Sequence, residues 1–275
     1  MNPPTRILSD LHFGHPTSFV RATEQLAPLL EGADRVIFNG DSVEMRFVEE
    51  RGPAAVDFAR LQQCCLEAAV EAVFVTGNHD AEISEIHHLD LASGAVFVTH
   101  GDILFHGLSP WSKEAARLQE AHTQELSALG NPSQLELQLR AAKRAVRAIQ
   151  HFGPKLRTPV NRAANLLHEA WPPWRPFHIL GCWAVTPHRA HALAAAHRPE
   201  AKFVIIGHTH FSGIWHRRDR VVINTGAFLP YSRPLAVDLT EAADGSVEVV
   251  VRKVASRGGL FRLGREVARF AKQNK

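Results

Sequence analysis

The sequence predicts an α/β fold, a sandwich of two sheets interrupted by a helical insertion. Three observations carry that expectation. Short Val-, Ile- and Phe-rich runs end in small or polar residues, strands alternate with a helix early and crowd together late, and residues 109 to about 200 break the rhythm. With 275 residues, 45% of them apolar, the chain can form one large α/β domain or two small ones around a sizeable core.

The expected strands are Thr5–Leu8 before SDLH, Arg35–Phe38 before NGD, Ala72–Thr76 before GNHD, Val96–Thr99 before HGD and Phe203–Ile206 before GHTH. Further runs at Val221–Thr225, Leu235–Leu239 and Val247–Val254 follow with little helix between them. Apolar runs of this length bounded by Gly and Asn are buried strands more often than helix fragments. Pro53–Glu71, with Val56, Leu61 and Val70 on an Ala-rich background, reads as a crossover helix.

The insertion reads as helical. Ser109-Pro110 offers a cap with proline at the first helical position, and that helix extends to Gly130. Asn131-Pro132-Ser133-Gln134 resembles a capping box. Leu135, Leu139, Ala142, Val146 and Ile149 then mark one face of a helix ending at Gly153-Pro154. Thr158-Pro159 opens a short helix stopped by Trp171-Pro172-Pro173, and Thr186-Pro187 opens another over His188–His197. The expected division is a core of residues 1–108 and 186–255, a helical cap of 109–185, and a basic amphipathic C-terminal helix of 256–275, where Leu260, Leu263, Val267 and Phe270 are spaced by three, four and three.

Net charge is +3, too small to argue for nucleic acid by itself. Cys64, Cys65 and Cys182 form neither a CxxC pair nor an even set, which fits a reducing cytoplasm. MNPPTRILSD shows no basic-then-apolar leader and no apolar run is long enough for a bilayer, so the expected site of action is cytoplasmic. The unusual number is 17 histidines, which raises the question of where they sit.

Many follow strands. In chain order the polar residues at expected strand ends are Asp10 and His12, Asp41, Asn78, His79 and Asp80, His100, and His208 and His210. The C-terminal edge of an open α/β sheet is where ligands bind. Carboxylates, imidazoles and one amide oxygen, with no thiolate, suit Mn, Fe, Zn or Co. Asp10, His12, Asp41, Asn78, His100, His208 and His210 are too many ligands for one ion and enough for two that share a carboxylate. Two ions about 3.5–4 Å apart can clamp the attacking and leaving oxygens of a phosphoryl transfer.

D-x-H, GD, GNHD, HGD and GHTH in this order resemble the calcineurin-like metallophosphoesterases. The resemblance spans residues 5 to 110 and 200 to about 240 and leaves out the helical insertion. It implies an αββα sandwich with two divalent ions, manganese foremost. One ion would be held by Asp10, His12, Asp41 and His210, the other by Asp41, Asn78, His100 and His208, with Asp41 bridging. It implies a hydroxide nucleophile supplied by the ions. His79 would act on the scissile phosphate or the leaving oxygen with Asp80 holding its ring. Glu44 and His106 are further candidates for hydrogen bonds around the site.

The insertion between HGD and GHTH is similar to the branch containing UDP-diacylglucosamine pyrophosphohydrolases, although that branch often has GNRD where this chain has His79. The implied substrate is a phosphorylated small molecule or a lipid-linked phosphate. The basic segment 256–275 could lie on the inner membrane surface. Arg140, Lys143, Arg144, Arg147, Lys155, Arg157 and Arg162 form a basic run that would suit a nuclease. It lacks interleaved aromatics, which ranks nucleic acid lower. A non-catalytic membrane-associated scaffold is the reading from a different class, and the full ligand set speaks against it.

Overall fold

The β-branched runs become strands because both of their faces can be buried. The computed structural model describes residues 3–149 and 175–272. β1 (Thr5–Leu8), β2 (Arg35–Asn39) and β3 (Glu71–Val75) are parallel neighbours, with Ile7 opposite Ile37 and Phe38 opposite Phe74. β9 (Leu235–Glu241), β10 (Val247–Arg257) and β11 (Leu260–Lys272) continue that sheet antiparallel beyond β1. A second sheet contains β4 (His88–Leu91), β5 (Val96–Thr99), β6 (Phe203–Ile206), β7 (Gly213–Arg217) and β8 (Arg220–Asn224), in the order β4-β5-β6-β8-β7.

Alternation sends successive side chains to opposite faces. Ile7, Ile37, Val75, Val98, Ile205 and Val237 meet between the sheets. Leu8, Phe38 and Phe74 face outward onto the layer of α1 (Ala27–Leu30) and α2 (Arg51–Glu67), where Leu29, Leu30 and Leu61 receive them. On the other side, Phe97, Val204, Ile206 and Val222 pack against α4 (Leu135–Ala148) and α5 (Arg175–His197). α3 (Ala115–Ala128) sits on α4 through Leu118, Ala142 and Ala145. The layers are therefore α, β, β, α, and two helices from the expected insertion build the fourth layer.

Several expected boundaries move. Residues 109–114 are turns, so α3 begins six residues after Ser109. The Asn131–Gln134 capping box is absent: Gln134 is the cap residue of α4 and makes no side-chain cap hydrogen bond. The helix end at Gly153-Pro154 and the helix opened by Thr158 lie outside the described residues. The helix expected over His188–His197 begins earlier, and α5 runs through Pro187. Proline there gives up one backbone bond, while the neighbouring Thr186 hydroxyl donates to Cys182 O at 2.7 Å.

The C-terminal helix expected over 256–275 is corrected to a strand. β11 pairs with β10 along its length, and the register slips at Val251/Arg252 and again at Arg252/Val254. The misleading spacing arises because both faces of this strand carry apolar residues. Phe261 and Leu263 reach the core beside α1, whereas Ala268 and Phe270, beyond the slips, reach the core between the sheets. Apolar residues drawn from both faces of one strand imitate a helical repeat. With the helix goes the amphipathic surface on which the membrane expectation stood. Among the described residues, no helix is long and apolar enough to cross a membrane.

The basic run also changes character over its described part. Lys143 is buried against Asp102 at 2.7 Å, Arg144 meets Glu125 at 2.9 Å, and Arg147 donates to Ala81 O at 2.9 Å and pairs with Glu85 at 3.3 Å. Lys155, Arg157 and Arg162 lie outside the described residues.

Candidate metal centre

The motif residues leave their strands at one edge of the sandwich and draw on both sheets. β1 delivers Asp10 and His12, β2 delivers Asp41, and β3 delivers Asn78 and His79; β5 delivers His100, and β6 delivers His208 and His210. Asp10, His12, Asp41, His208 and His210 all have φ between 47° and 67°. Left-handed backbone costs a non-glycine residue on the order of 1 kcal/mol or more, and such residues cluster at functional sites. Backbone bonds lock the turns: Asp10 N–H donates to Gly40 O at 3.0 Å, His12 N–H to Asp41 O at 2.8 Å and Gly207 N–H to His100 O at 2.9 Å. Gly77 and Gly207 have a steric role, because a Cβ on Gly77 would strike the Asp41 carboxylate and one on Gly207 would strike Asp10.

Among the described residues three groups of ligand atoms result, two of them sharing Asp41 and a third joining His12, Glu44 and His79. In the first, Asp10, His12, Asp41 and His210 each offer an atom within 4.8 Å of the others. His12 Nε2 lies 3.1 Å from His210 Nε2, and His210 Nε2 lies 3.3 Å from Asp10 Oδ1. In the second, Asp41, His100 and His208 converge in the same way. Asn78 Oδ1 lies between its two rings, 3.1 Å from His100 Nε2 and 2.7 Å from His208 Nδ1.

Asp41 belongs to both groups. Its Oδ1 accepts His79 N–H at 2.8 Å, while its Oδ2 is buried without a hydrogen-bond partner, 3.7 Å from His12 Nε2 and 3.4 Å from His100 Nε2. The outer nitrogens of the second group are tied to carbonyls: His100 Nδ1–H donates to Asn39 O at 3.0 Å and His208 Nε2–H to Leu108 O at 2.7 Å. Such bonds fix the tautomer and turn the opposite nitrogen into a ligand. Buried lone pairs pointing at one another, with one carboxylate oxygen left between them, fit divalent cations on both sides of Asp41.

Their surroundings shift the buried imidazoles in opposite directions. Burial disfavours a charged His100, yet Asp41 outweighs it and lifts the imidazole to about 10. Burial, reinforced by His100, pushes His208 down to about 3. His12 lies well below its ordinary value through burial and the neighbouring His79.

His79 stands beside the two groups, its ring 4.6 Å from that of His12. The carboxylate on its ring is Glu44, whose Oε2 accepts Nδ1–H at 2.7 Å. This corrects the expectation for Asp80, which turns away and accepts backbone N–H from Gly77 at 2.7 Å, Asp41 at 3.0 Å and Ser42 at 2.5 Å. Asp80 therefore pins the GNHD turn to the NGD turn. Burial and Asp41 raise its carboxyl to about 6, with the Gly77 and Ser42 N–H groups opposing. For His79, burial lowers the pKa but Glu44 and Asp41 win, so it is raised.

His106 stays outside both groups; its carbonyl accepts from His122 Nδ1 at 3.2 Å. His87 bonds Thr76 Oγ1 at 2.7 Å, and His88 meets Arg198 at 2.9 Å. Sequence reasoning missed the carbonyls of Asn39 and Leu108, which carry no side-chain signal, and underrated Glu44. The GDSVE spacing already placed that carboxylate three residues beyond Asp41.

A dimetal phosphatase from Danio rerio superposes with a TM-score of 0.50 at 12% identity, covering 99% of each chain, a likeness of fold alone. A conserved phosphoesterase-like protein from Streptococcus pneumoniae gives 0.40 at 14% identity over 98% of each chain. Vacuolar Protein Sorting 29 from Cryptosporidium parvum gives 0.42 at 11% identity over 98% of this chain and 99% of its own. No curated protein matches the sequence. A family model described as calcineurin-like phosphoesterase matches residues 4–212, a span that takes in every motif loop, and the chain belongs to that family.

Proposed function

We propose that this chain is a hydrolase of phosphoester or pyrophosphate bonds that works with two divalent ions, on a small or lipid-linked phosphate. The observation that carries the reading is Asp41, whose buried, unpartnered Oδ2 is shared by two converging ligand groups. Asp10, His12, Asp41 and His210 would hold one ion, and Asp41, Asn78, His100 and His208 the other. When bound, such ions supply Lewis-acid activation of water and of the phosphoryl oxygens.

The remaining steps belong to the protein. His79 gives Nδ1–H to Glu44, which favours its charged form and leaves Nε2 to protonate the departing oxygen. Asp80 holds Gly77 and Asp41 at a fixed distance, so His79 and the bridging carboxylate keep one relative position. No serine or cysteine is needed as a nucleophile. The free thiols agree, since burial pushes Cys65 up to about 12.

Purified protein loaded with manganese should hydrolyse bis-p-nitrophenyl phosphate, and a panel extended to UDP-diacylglucosamine tests the lipid-linked arm. Asp41→Asn should abolish turnover. An Asp41→Asn protein as active as the wild type would sink the reading.

A further inference from the structure

A cavity of about 570 Å³ opens between the turn after the HGD motif and helices α3, α4 and α5, and none of the seven expected ligands lines it. That volume lies within the range of about 300–1,000 Å³ usual for small-molecule sites. Leu104, Leu126 and Leu193 give it apolar walls, and His122, Gln138 and Arg189 give it polar ones. Among the described lining residues Arg189 is the one arginine or lysine, and there is no carboxylate. His122 is 3% exposed. Its Nδ1–H donates to His106 O at 3.2 Å, which fixes the tautomer. Burial, the largest influence on it, lowers its pKa, so the ring is neutral at pH 7 and Nε2 presents a lone pair. That nitrogen is buried and has no hydrogen-bond partner among the described residues. A buried acceptor left unpaired costs about 1–3 kcal/mol, so a donor belongs opposite it. Gln138 spends its amide N–H on Pro132 O at 2.9 Å, which leaves Oε1 as a second acceptor. Arg189 is held in place, with Nη1–H donating to Leu104 O at 3.0 Å and the guanidinium carbon 4.9 Å from the centre of the Phe105 ring. The guanidinium keeps further N–H donors beyond that bond.

We infer that this cavity is a second binding site, separate from the metal centre, for a small anion that also carries hydroxyl groups. The hydroxyls donate to His122 Nε2 and Gln138 Oε1, and the anionic group takes the Arg189 fork. A guanidinium matches carboxylate and phosphate oxygens alike. The leucine walls cover the carbon–hydrogen surface of the ligand. A single water fills about 30 Å³ and serves His122 alone, which leaves most of the cavity and the cation unexplained. The inference does not depend on the hydrolase reading, because none of these contacts needs a metal.

The test titrates gluconate and glycerol 3-phosphate calorimetrically into the metal-free protein. One carries a carboxylate and the other a phosphate, so the tighter of the two identifies the anion. At least one should bind with a Kd of about 1 mM or below. Sorbitol, which lacks the charge, and hexanoate, which lacks the hydroxyls, should bind at least about tenfold more weakly. Arg189→Met, at an exposed position, should weaken the better ligand about tenfold or more. Gln138→Glu, which brings a like charge into the cavity, should weaken it as well, and His122→Phe should do so by removing the acceptor. No heat from either anion would overturn the site and leave a cavity that holds only water. Equal affinity in wild type, Arg189→Met and Gln138→Glu would also overturn it. Binding that responds to Asp41→Asn in place of Arg189→Met would put the ligand at the metal centre and overturn it too.

Discussion

Replacing Lys143 by methionine removes a cation from a place that water does not reach. Lys143 Nζ lies 2.7 Å from Asp102 Oδ2, with side chains 1% and 0% exposed. Burial alone would raise the Asp102 carboxyl, but Lys143, followed by His100 and His208, holds it at about 2. Set against an ordinary carboxyl near 3.9, that depression is worth about 2–3 kcal/mol of folding stability at neutral pH. Because the carboxyl is depressed, the contribution is complete above about pH 4 and disappears as pH falls through about 2. Leaving the carboxylate buried without its cation should cost about 3–5 kcal/mol, more than removing both partners. The assay is urea denaturation of wild type, Lys143→Met, Asp102→Asn and the double variant, at neutral and acid pH. Without Lys143 the carboxyl becomes easier to protonate, so the gap between Lys143→Met and wild type should narrow as pH falls. A loss under about 1 kcal/mol at neutral pH, or one independent of pH, would refute the assignment of a buried ion pair.

Other perturbations reach the site and the sheet edge. Gly77→Ala drives a methyl group into the Asp41 carboxylate, so elemental analysis should find metal content reduced; a full complement would show that the turn gives way freely. Glu44→Gln removes the charge that raises His79, so the high-pH limb of kcat/KM should move to lower pH. An unmoved limb would take His79 out of proton transfer. Phe261→Ala opens a hole beneath β11, where the ring meets Phe228 edge-on at 5.0 Å, and should cost about 3–4 kcal/mol in a thermal scan. A near-neutral result would be expected only of a surface helix.

The strands and the ligand turns were legible because several apolar runs stop where a candidate ligand begins, with a glycine beside it as at Ile206-Gly207-His208. The C-terminal strand was not, since Leu263 and Phe270 serve the cores on opposite faces of one strand, and apolar residues on both faces gave a spacing of three and four. His79 and Asp80 are adjacent in sequence, which invited pairing them. Neighbouring residues in a tight turn point apart, and the nearer carboxylate came from Glu44, 35 positions away. β4 and β7 escaped notice because HLDL and GIWHR carry too few apolar residues to stand out. Lys143 looked like one charge of a solvated run, and only the packing of α4 on the HGD turn reveals its partner.

The carboxylate of Asp10 accepts the backbone N–H of His208 across a sequence separation of 198. Five of the seven expected ligands lie within the first 100 residues and two at 208 and 210, and the set is drawn from strands of both sheets. Each four-residue set of proposed ligands includes His208 or His210, so most of the polypeptide must be made before either set is complete, and neither sheet alone offers a full set of donors. In the two-ion reading proposed above, a cation would meet its full set of donors only where both sheets come together.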